Sequence, residues 1–195
     1  MTEQQAGARK RGRPTEVERA QRRDEVLDAA VRLFGAGGFQ RVSLDDIASE
    51  AHVTKRTIYK YFGDRNDIFL AAVERLRQRT LTLTPDDHPS LIDLAASIVH
   101  GLHSDEAIAL HRLMIAEAHR FPELADRFYR DGPESYIRAI ATALPEVVAD
   151  RAEHLFALLL GEPHRRRLLG LSAAPTYDQA RAQASAVLKT IGALD

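Results

Sequence analysis

The residues best suited to chemistry lie in one short stretch, VTKRTIYKYF, at positions 53–62. The stretch contains three cationic side chains, two tyrosines and two threonines, and it contains no acid. Cations and hydroxyl groups donate hydrogen bonds to phosphate oxygens, and short polar side chains also reach the edges of DNA bases. A solvated helix face normally mixes acids with bases, so this composition favours contact with a polyanion over an ordinary basic surface.

Two short helices must position this stretch. Ser43, followed by Asp46 three residues later, predicts one helix N-terminus, and Thr54 predicts the next. A tight connection at 51–53 separates the two helices, and a longer helix flanks them on each side. Two short helices joined by such a turn form a helix-turn-helix unit, whose second helix enters the DNA major groove.

The spacing within the second helix divides its side chains into two groups. Ile58 and Phe62 lie four residues apart and are predicted to anchor the helix in its own domain. Thr54 and Thr57 are short enough to contact a phosphate or a thymine methyl group. The predicted outward-facing DNA contacts on this helix are Lys55, Arg56, Tyr59 and Lys60.

A second basic segment, RKRGRP at positions 9–14, precedes the first helix. Its cations are Arg9, Lys10, Arg11 and Arg13, and it has no apolar anchor. Extended arginine-rich segments fit a narrow minor groove, where the negative potential is enhanced. A plain charged tail is the alternative, but the position ahead of a helix-turn-helix unit favours a flexible DNA-binding arm over residues 1–15.

Composition limits the possible classes of protein. The chain has 195 residues, 45% of them hydrophobic, and no cysteine, so disulfides, thiolate metal sites and a cysteine nucleophile are excluded. Residues 1–65 carry a net charge of +3 and the remainder −4, so the basic excess lies in the N-terminal third. The first residues lack the apolar run of a secretory signal, and we expect a cytoplasmic protein without a membrane partner.

The remaining chain shows apolar residues at helical spacing and no useful strand pattern. We expect an all-α fold of about nine helices, with a helix-turn-helix domain at 16–80 and a helical domain at 88–195. The segment TLTLTPDDHPS is the boundary, because its prolines and aspartates break the periodicity. The glycines at 35, 37 and 38 follow a helix without a lysine, and they favour a helix C-cap over a phosphate-binding loop.

The segment from about Arg13 to Val73 resembles the TetR family of bacterial transcriptional regulators. The resemblance is carried by AAVRLFGAGGFQRVSLDDIASEAHVTKRTIYKYFGDRNDIF. It implies an all-helical homodimer with a DNA-binding domain, a larger ligand-binding and dimerisation domain, and repression relieved by a small molecule. Arg65 stands where the family usually has a phosphate-binding lysine, and Arg56 stands where glycine or proline is common, which bears on base preference. The operator contacts implied by the resemblance are Ser43, Thr54, Lys55, Thr57, Tyr59 and Tyr61.

The C-terminal half, through LHRLMIAEAHRFPELADRFYRDGP, resembles the AefR-like subgroup of these regulators. The resemblance implies that the last two helices pair with those of a second copy as a four-helix bundle. The candidate interface residues are Leu155, Leu158, Leu159, Ala184, Val187, Leu188 and Ile191. The candidate lining of an effector pocket is His111, Met114, Phe121, Phe128, Tyr129, Tyr136 and Phe156.

The alternative for each pocket candidate is a simple core position, which is the more common role of such side chains, and His111 on an apolar stripe favours a buried core histidine. His100 and His103 have a spacing that permits metal binding, but no third ligand is placed by the sequence, so we expect no metal and no cofactor. No nucleophile motif, paired catalytic carboxylates or cofactor loop is visible, and an enzyme is the remote alternative.

We therefore predict a ligand-responsive repressor that is released from a palindromic double-stranded DNA operator by a small, largely apolar molecule. A helix-turn-helix regulator without a small-molecule effector, controlled by its abundance or by a protein partner, is the second possibility. The first 75 residues do not discriminate between the two.

Overall fold

A computed structural model describes residues 15–82 and 90–191. The predicted arm contacts Arg9, Lys10, Arg11 and Arg13 lie outside the described residues. The described part of the chain is built from α-helices and one 3-10 helix, which confirms the all-α prediction. The elements are α1 (Glu16–Gly37), α2 (Leu44–Glu50), α3 (Lys55–Tyr61), α4 (Arg65–Thr82), α5 (Leu91–Leu102), α6 (Asp105–Glu117), α7 (Pro122–Asp131), α8 (Pro133–Ala143), a 3-10 helix (Glu146–Arg151), α9 (Ala152–Leu168) and α10 (Tyr177–Thr190).

The first helix begins at a capping box and ends at a glycine. Thr15 accepts a hydrogen bond from the Glu18 amide, and the Glu18 carboxylate accepts one from the Thr15 amide. Gly38, with φ of 78°, caps the helix, which runs on through Gly35 and Gly37 rather than ending before these glycines. The helix continues through Gly35, where α6 passes at an ordinary van der Waals distance. A Cβ atom at Gly35 would lie 3.7 Å from the Ala109 Cβ.

One apolar core joins the helix-turn-helix segment to the middle helices. Side chains of α1 to α4, including Phe34, Ile47, Ile58 and Phe69, share this core with residues of α6 and α7. Phe39 lies at its centre and makes edge contacts with the rings of Phe69 and Phe121, at centroid distances of 6.1 and 5.4 Å. The N-terminal helices therefore cannot tilt freely against α6 and α7, because burial of their shared apolar surface opposes separation.

A second core lies among α5, α8, α9 and α10. Tyr136 is stacked on Phe156 with ring centroids 6.3 Å apart, and burial raises the pKa of Tyr136 to about 12. Gly101 allows α5 to approach α4, because a Cβ atom there would collide with the side chain of Thr80. α4 thus contacts both cores and connects the helix-turn-helix unit to the rest of the chain.

Helix α9 is interrupted where the sequence reads GEPH. Gly161 has φ of 46°, and Pro163 has no amide hydrogen to donate within the helix. The break reorients the final turns, so that His164 and Arg167 point into the protein. In the described ranges, no helix is both long enough and apolar enough to cross a membrane.

Candidate DNA-binding surface and helical effector domain

The helix-turn-helix geometry is fixed by local hydrogen bonds at the start of each short helix. The Ser43 hydroxyl accepts from the Asp46 amide, and Asp46 accepts from the Ser43 amide, which completes a capping box for α2. The turn passes through His52, a non-glycine residue with φ of 52°. Thr54 then caps α3 by accepting from the Thr57 amide at 3.2 Å. Both helix starts thus follow the sequence prediction.

The second short helix presents its polar side chains outward. Ile58 is completely buried, and Val53 and Phe62 pack against the same core. Tyr59 is 57% exposed, and Arg56 and Lys60 are exposed beside it. The surface of α3 therefore carries cations and a tyrosine hydroxyl, as required of a helix that enters a major groove. The individual DNA contacts assigned to these positions stay predictions.

Lys55 is held by a residue that sequence reasoning missed. Its ammonium group donates to Asp45 of α2 at 2.9 Å. This hydrogen bond, together with the attraction of the Asp45 charge, raises the pKa of Lys55. Both side chains are exposed, so water and salt weaken the pair, and the ammonium can exchange Asp45 for a phosphate or base at little cost.

A groove beside α3 contains further polar groups that the sequence did not single out. Arg41 and Asn66 line this groove together with Ser43, Lys55 and Tyr59. Arg41 lies in the loop before α2 and Asn66 in the first turn of α4, so both flank the recognition helix. The groove collects donor groups from three segments around one edge of α3.

Arg65 has a structural role that the sequence prediction did not include. Its Nη1 donates to the carbonyl oxygens of Phe39, Gln40 and Val42 at 2.9, 3.1 and 2.9 Å. Its guanidinium also lies over the Phe39 ring, 5.3 Å from the centroid. Arg65 thus fixes the loop between α1 and α2. The predicted phosphate contact would have to use the remaining guanidinium nitrogens.

A buried arginine joins the helix-turn-helix unit to α6. The side chain of Arg75, on α4, is 8% exposed, and its Nη2 contacts Asp28 of α1 at 2.8 Å and Glu106 of α6 at 2.5 Å. Its Nη1 donates to the Asp24 carbonyl oxygen at 3.1 Å. Desolvation by burial opposes the charge, but the hydrogen bonds and attraction of Glu106 and Asp28 prevail and raise the pKa of Arg75.

The structure separates the pocket candidates into different environments. Met114, Phe121 and Phe128 belong to or pack against the first core, whereas Tyr136 and Phe156 lie in the second. His111 lies beside Phe128, with ring centroids 5.8 Å apart.

Tyr129 is exposed on α7, and its assignment to a pocket lining stays a prediction. It lies on the outer face of a helix whose apolar side chains pack the other way. The other six assignments stay predictions.

The dimer candidates are mostly core residues of a single protomer. Leu155, Leu159, Ala184 and Leu188 are at most 1% exposed in the isolated chain, so they present no surface to a partner. The sequence pattern identified the buried stripe of α9 and α10, and the structure corrects its role to packing of these two helices against α5 and α8. Leu158 is 49% exposed and is available to a partner, and Val187 and Ile191 are partly buried.

The histidines considered for a metal make other contacts. The His100 ring lies edge-on to Tyr177, and His103 Nδ1 bonds the Val99 carbonyl oxygen at 2.7 Å. Across residues 15–82 and 90–191, no group of three or more potential ligands has a geometry that would hold a metal ion.

Comparison with known proteins identifies the family that has this architecture. The profile of bacterial regulatory proteins of the tetR family matches residues 26–72, and the profile of the AefR-like transcriptional repressor C-terminal domain matches residues 89–193. The chain belongs to the TetR family. The second profile covers more than half of the sequence, which confirms the resemblance to the AefR-like subgroup.

Individual TetR-family relatives share the fold along nearly the whole chain. A regulator from Mesorhizobium loti is 25% identical, with a TM-score of 0.68 over 92% of this chain and 98% of that one. The flavonoid-responsive regulator FrrA is 31% identical, with a TM-score of 0.61 over 88% of this chain and 95% of that one.

A helix-turn-helix transcriptional regulator of Mycobacterium tuberculosis is 27% identical over 150 residues. This alignment covers 77% of this chain and 56% of the relative, so the chain spans little more than half the length of that curated relative. The family and these relatives are transcriptional regulators rather than enzymes. The chain is accordingly a TetR-family transcriptional regulator.

Proposed function

We propose that this TetR-family chain is a homodimeric repressor that leaves a palindromic operator when a small, largely apolar molecule binds its C-terminal helices. The observation that carries the DNA-binding half of this proposal is the surface of α3. Lys55, Arg56, Tyr59 and Lys60 face outward, and α3 contains no acid to repel a phosphate. Repression agrees with the AefR-like repressor profile that matches the C-terminal half.

Dimerisation follows from the geometry of operator recognition. One α3 helix reads a single half-site, and a two-fold dimer sets the distance between two recognition helices. The exposed side of α9 includes Leu158, and an exposed leucine on this helix supports pairing with a second copy. The buried residues of α9 and α10 support this interface from beneath.

The effector half of the proposal is supported by the connection between the domains. α4 begins beside the recognition helix and ends against α5, and the buried Arg75 joins α4 to both α1 and α6. A molecule that favours one arrangement of α6 would therefore alter the tilt of α1 and α4. Such coupling requires that the molecule bind the two arrangements with different affinity.

The class of effector is suggested by one relative. FrrA is described as flavonoid-responsive, and it matches this chain along nearly its whole length. We extend this to an aromatic, largely apolar effector for the present chain. Control by abundance or by a protein partner is the competing possibility, and it predicts no response to small aromatic molecules.

The proposal is tested by selecting the preferred operator from random duplex DNA and measuring affinity by fluorescence anisotropy. Lys55→Ala and Tyr59→Ala should each weaken operator binding at least about fivefold, since a good base contact contributes about 1–3 kcal/mol. Arg130→Ala, an exposed change on α7, is the matched control and should bind like the wild type. Unchanged operator affinity in both α3 variants would contradict the assignment of the groove surface.

A further inference from the structure

Three histidines from three elements meet in the C-terminal domain. His103 follows α5, His111 lies on α6, and His164 lies just beyond the break in α9. The His164 ring centroid is 5.1 Å from that of His103 and 5.2 Å from that of His111. His103 is 1% exposed and His164 is 7% exposed, so this histidine cluster is an interior feature.

The fold actively holds these rings in place. His103 Nδ1 bonds the Val99 carbonyl oxygen, and the His103 carbonyl oxygen accepts from Arg167 Nε at 2.9 Å. Gly161 and Pro163 interrupt α9 and turn His164 inward. A continuous helix would give a different orientation to this ring, so the break has a direct consequence for the cluster.

Two ring nitrogens of the cluster have no partner in the described structure. His103 Nδ1 must carry its proton to donate to a carbonyl oxygen, which leaves Nε2 as a buried acceptor without a donor. His164 Nε2 bonds His111 Nδ1 at 3.0 Å, and His164 Nδ1 is buried without a partner. Unmatched buried polar atoms are costly, so these two nitrogens are suited to hydrogen-bond an incoming polar group.

The cluster is electrically neutral at pH 7. Burial, together with repulsion from His111, His103 and Arg167, lowers the pKa of His164 to about 4. Burial also lowers the pKa of His103 and of His111.

Each guanidinium nitrogen of the nearby Arg167 already donates a hydrogen bond. Its three nitrogens bond the His103 carbonyl oxygen, the Ser172 carbonyl oxygen and the Asp105 carboxylate. The charge of Arg167 is thus already paired with Asp105, so a carboxylate ligand would gain less here than beside an unpaired cation, whereas a neutral hydroxyl group needs no cation.

We propose that the histidine cluster binds the hydroxyl group of a neutral aromatic alcohol, with His103 Nε2 accepting the hydroxyl proton and the hydroxyl oxygen facing His164 Nδ1. When His111 Nδ1 accepts from His164 Nε2, His164 Nδ1 is an acceptor like His103 Nε2. When His111 Nδ1 donates instead, His164 Nδ1–H donates to the ligand oxygen, and binding selects this tautomer. The aromatic body of the ligand would lie toward Phe128, which already contacts His111.

This inference rests on the proposed function, because it names the chemical group by which the effector is recognised. It also explains how recognition reaches the DNA-binding helices. α6 carries His111 at its middle and Glu106 in its first turn, and Glu106 contacts Arg75. A ligand that draws α6 toward α9 therefore acts on the same helix that is paired with α4.

The test compares 2-naphthol, naphthalene and 2-naphthoate as probes of the full chain at pH 7.5 by isothermal titration calorimetry. We expect 2-naphthol to bind about tenfold more tightly than naphthalene, the factor that one satisfied buried hydrogen bond supplies. 2-Naphthoate should bind more weakly than 2-naphthol. Equal affinities for 2-naphthol and naphthalene, or tightest binding of 2-naphthoate, would overturn the proposal.

Two single-residue variants test whether 2-naphthol binds at the histidine cluster. His103→Phe and His164→Phe keep an aromatic ring and should lower 2-naphthol affinity about tenfold while leaving naphthalene affinity within about twofold. His119→Gln, an exposed change beyond the end of α6, is the control and should change neither affinity. Unaltered 2-naphthol binding by both phenylalanine variants would overturn the assignment.

A measurement on the unaltered protein keeps the test independent of variant folding. In nitrogen-15 NMR spectra, the His103 Nε2 resonance should shift upfield on addition of 2-naphthol and stay in place with naphthalene, because only the former donates a hydrogen bond. Binding of 2-naphthol with this shift supports the histidine site even if operator affinity does not respond. Operator release by compounds that leave the histidine resonances unmoved would support ligand control and overturn the histidine site.

Discussion

Replacement of Arg75 by methionine should destabilise the protein because it leaves acids from α1 and α6 without their shared partner. The Arg75 side chain is 8% exposed and contacts Asp24, Asp28 and Glu106. Breaking a fully buried ion pair costs about 3–5 kcal/mol, but Asp24 and Asp28 are half-exposed, so the expected loss of unfolding free energy is about 2–3 kcal/mol. Met retains the apolar stem of the side chain, which limits the loss of packing.

The matched control is Arg79→Met, one turn further along α4. Arg79 is half-exposed and reaches two of the same acids, Asp24 and Glu106, at only 3.9 and 3.6 Å. Its loss should therefore cost less than about 1 kcal/mol. Urea unfolding at equal protein concentration measures both variants, because dimerisation makes stability concentration-dependent.

The contact between Arg75 and α6 should also affect function. Arg75→Met should weaken the link between α6 and the recognition unit, so an effector should change operator affinity less in this variant than in the wild type. A cost below about 1 kcal/mol for Arg75→Met, or an equal cost for Arg79→Met, would refute the assignment of Arg75 as the main electrostatic contact between these helices.

Three further changes test other parts of the structure. Gly101→Ala should destabilise the chain by about 1–3 kcal/mol, because the added methyl group collides with α4, whereas Gly35→Ala meets only an ordinary contact and should be neutral or stabilising in the same urea titration. Stability should fall as the pH drops below the ordinary histidine pKa of 6.5 toward 4, since the unfolded chain binds protons that folded His164 does not. By pH 5 this costs about 2 kcal/mol, and His164→Leu should make the fall in stability less steep. Deletion of residues 1–13 should reduce the salt dependence of operator binding, by a slope of about 0.9 for each phosphate that the arm neutralises, and an unchanged slope would reduce the segment to a passive tail.

The sequence was most informative where local chemistry determines structure. Capping residues such as Ser43 and Thr54 act on amides two or three positions away, so their pattern predicted the starts of α2 and α3 correctly. The junction of α7 and α8 is likewise local, because Gly132 is followed by Pro133, which has no amide hydrogen to donate. Apolar periodicity likewise identified Ile58 as an anchor of α3, since a single face of a short helix must be buried.

Contacts between segments that are distant in the sequence could not be predicted from local residue patterns. Arg75 looked like one cation among several on α4, because its three acidic partners come from helices elsewhere in the chain. Periodicity also shows that a stripe is buried but not what covers it. Leu159 and Leu188 therefore read equally well as a dimer interface and as the protomer core in which the structure places them.

The histidine cluster illustrates the same limit. His103, His111 and His164 are separated by up to 61 positions, and only the break at Gly161 brings the last of them into contact with the others. The sequence offered His111 as a pocket or core residue, and it supplied no reason to pair it with His164. A glycine and a proline within an otherwise helical run were the available signal that α9 changes direction there.

We propose that this TetR-family chain releases DNA when an aromatic molecule binds its C-terminal helices. The most direct test is the affinity of the full chain for its selected operator, measured by anisotropy with and without saturating 2-naphthol, alongside His103→Phe. We expect 2-naphthol to weaken operator binding at least about fivefold in the wild type, the lower end of typical allosteric coupling, and to have little effect on the variant. Operator affinity that is the same with and without bound 2-naphthol in the wild type would contradict it.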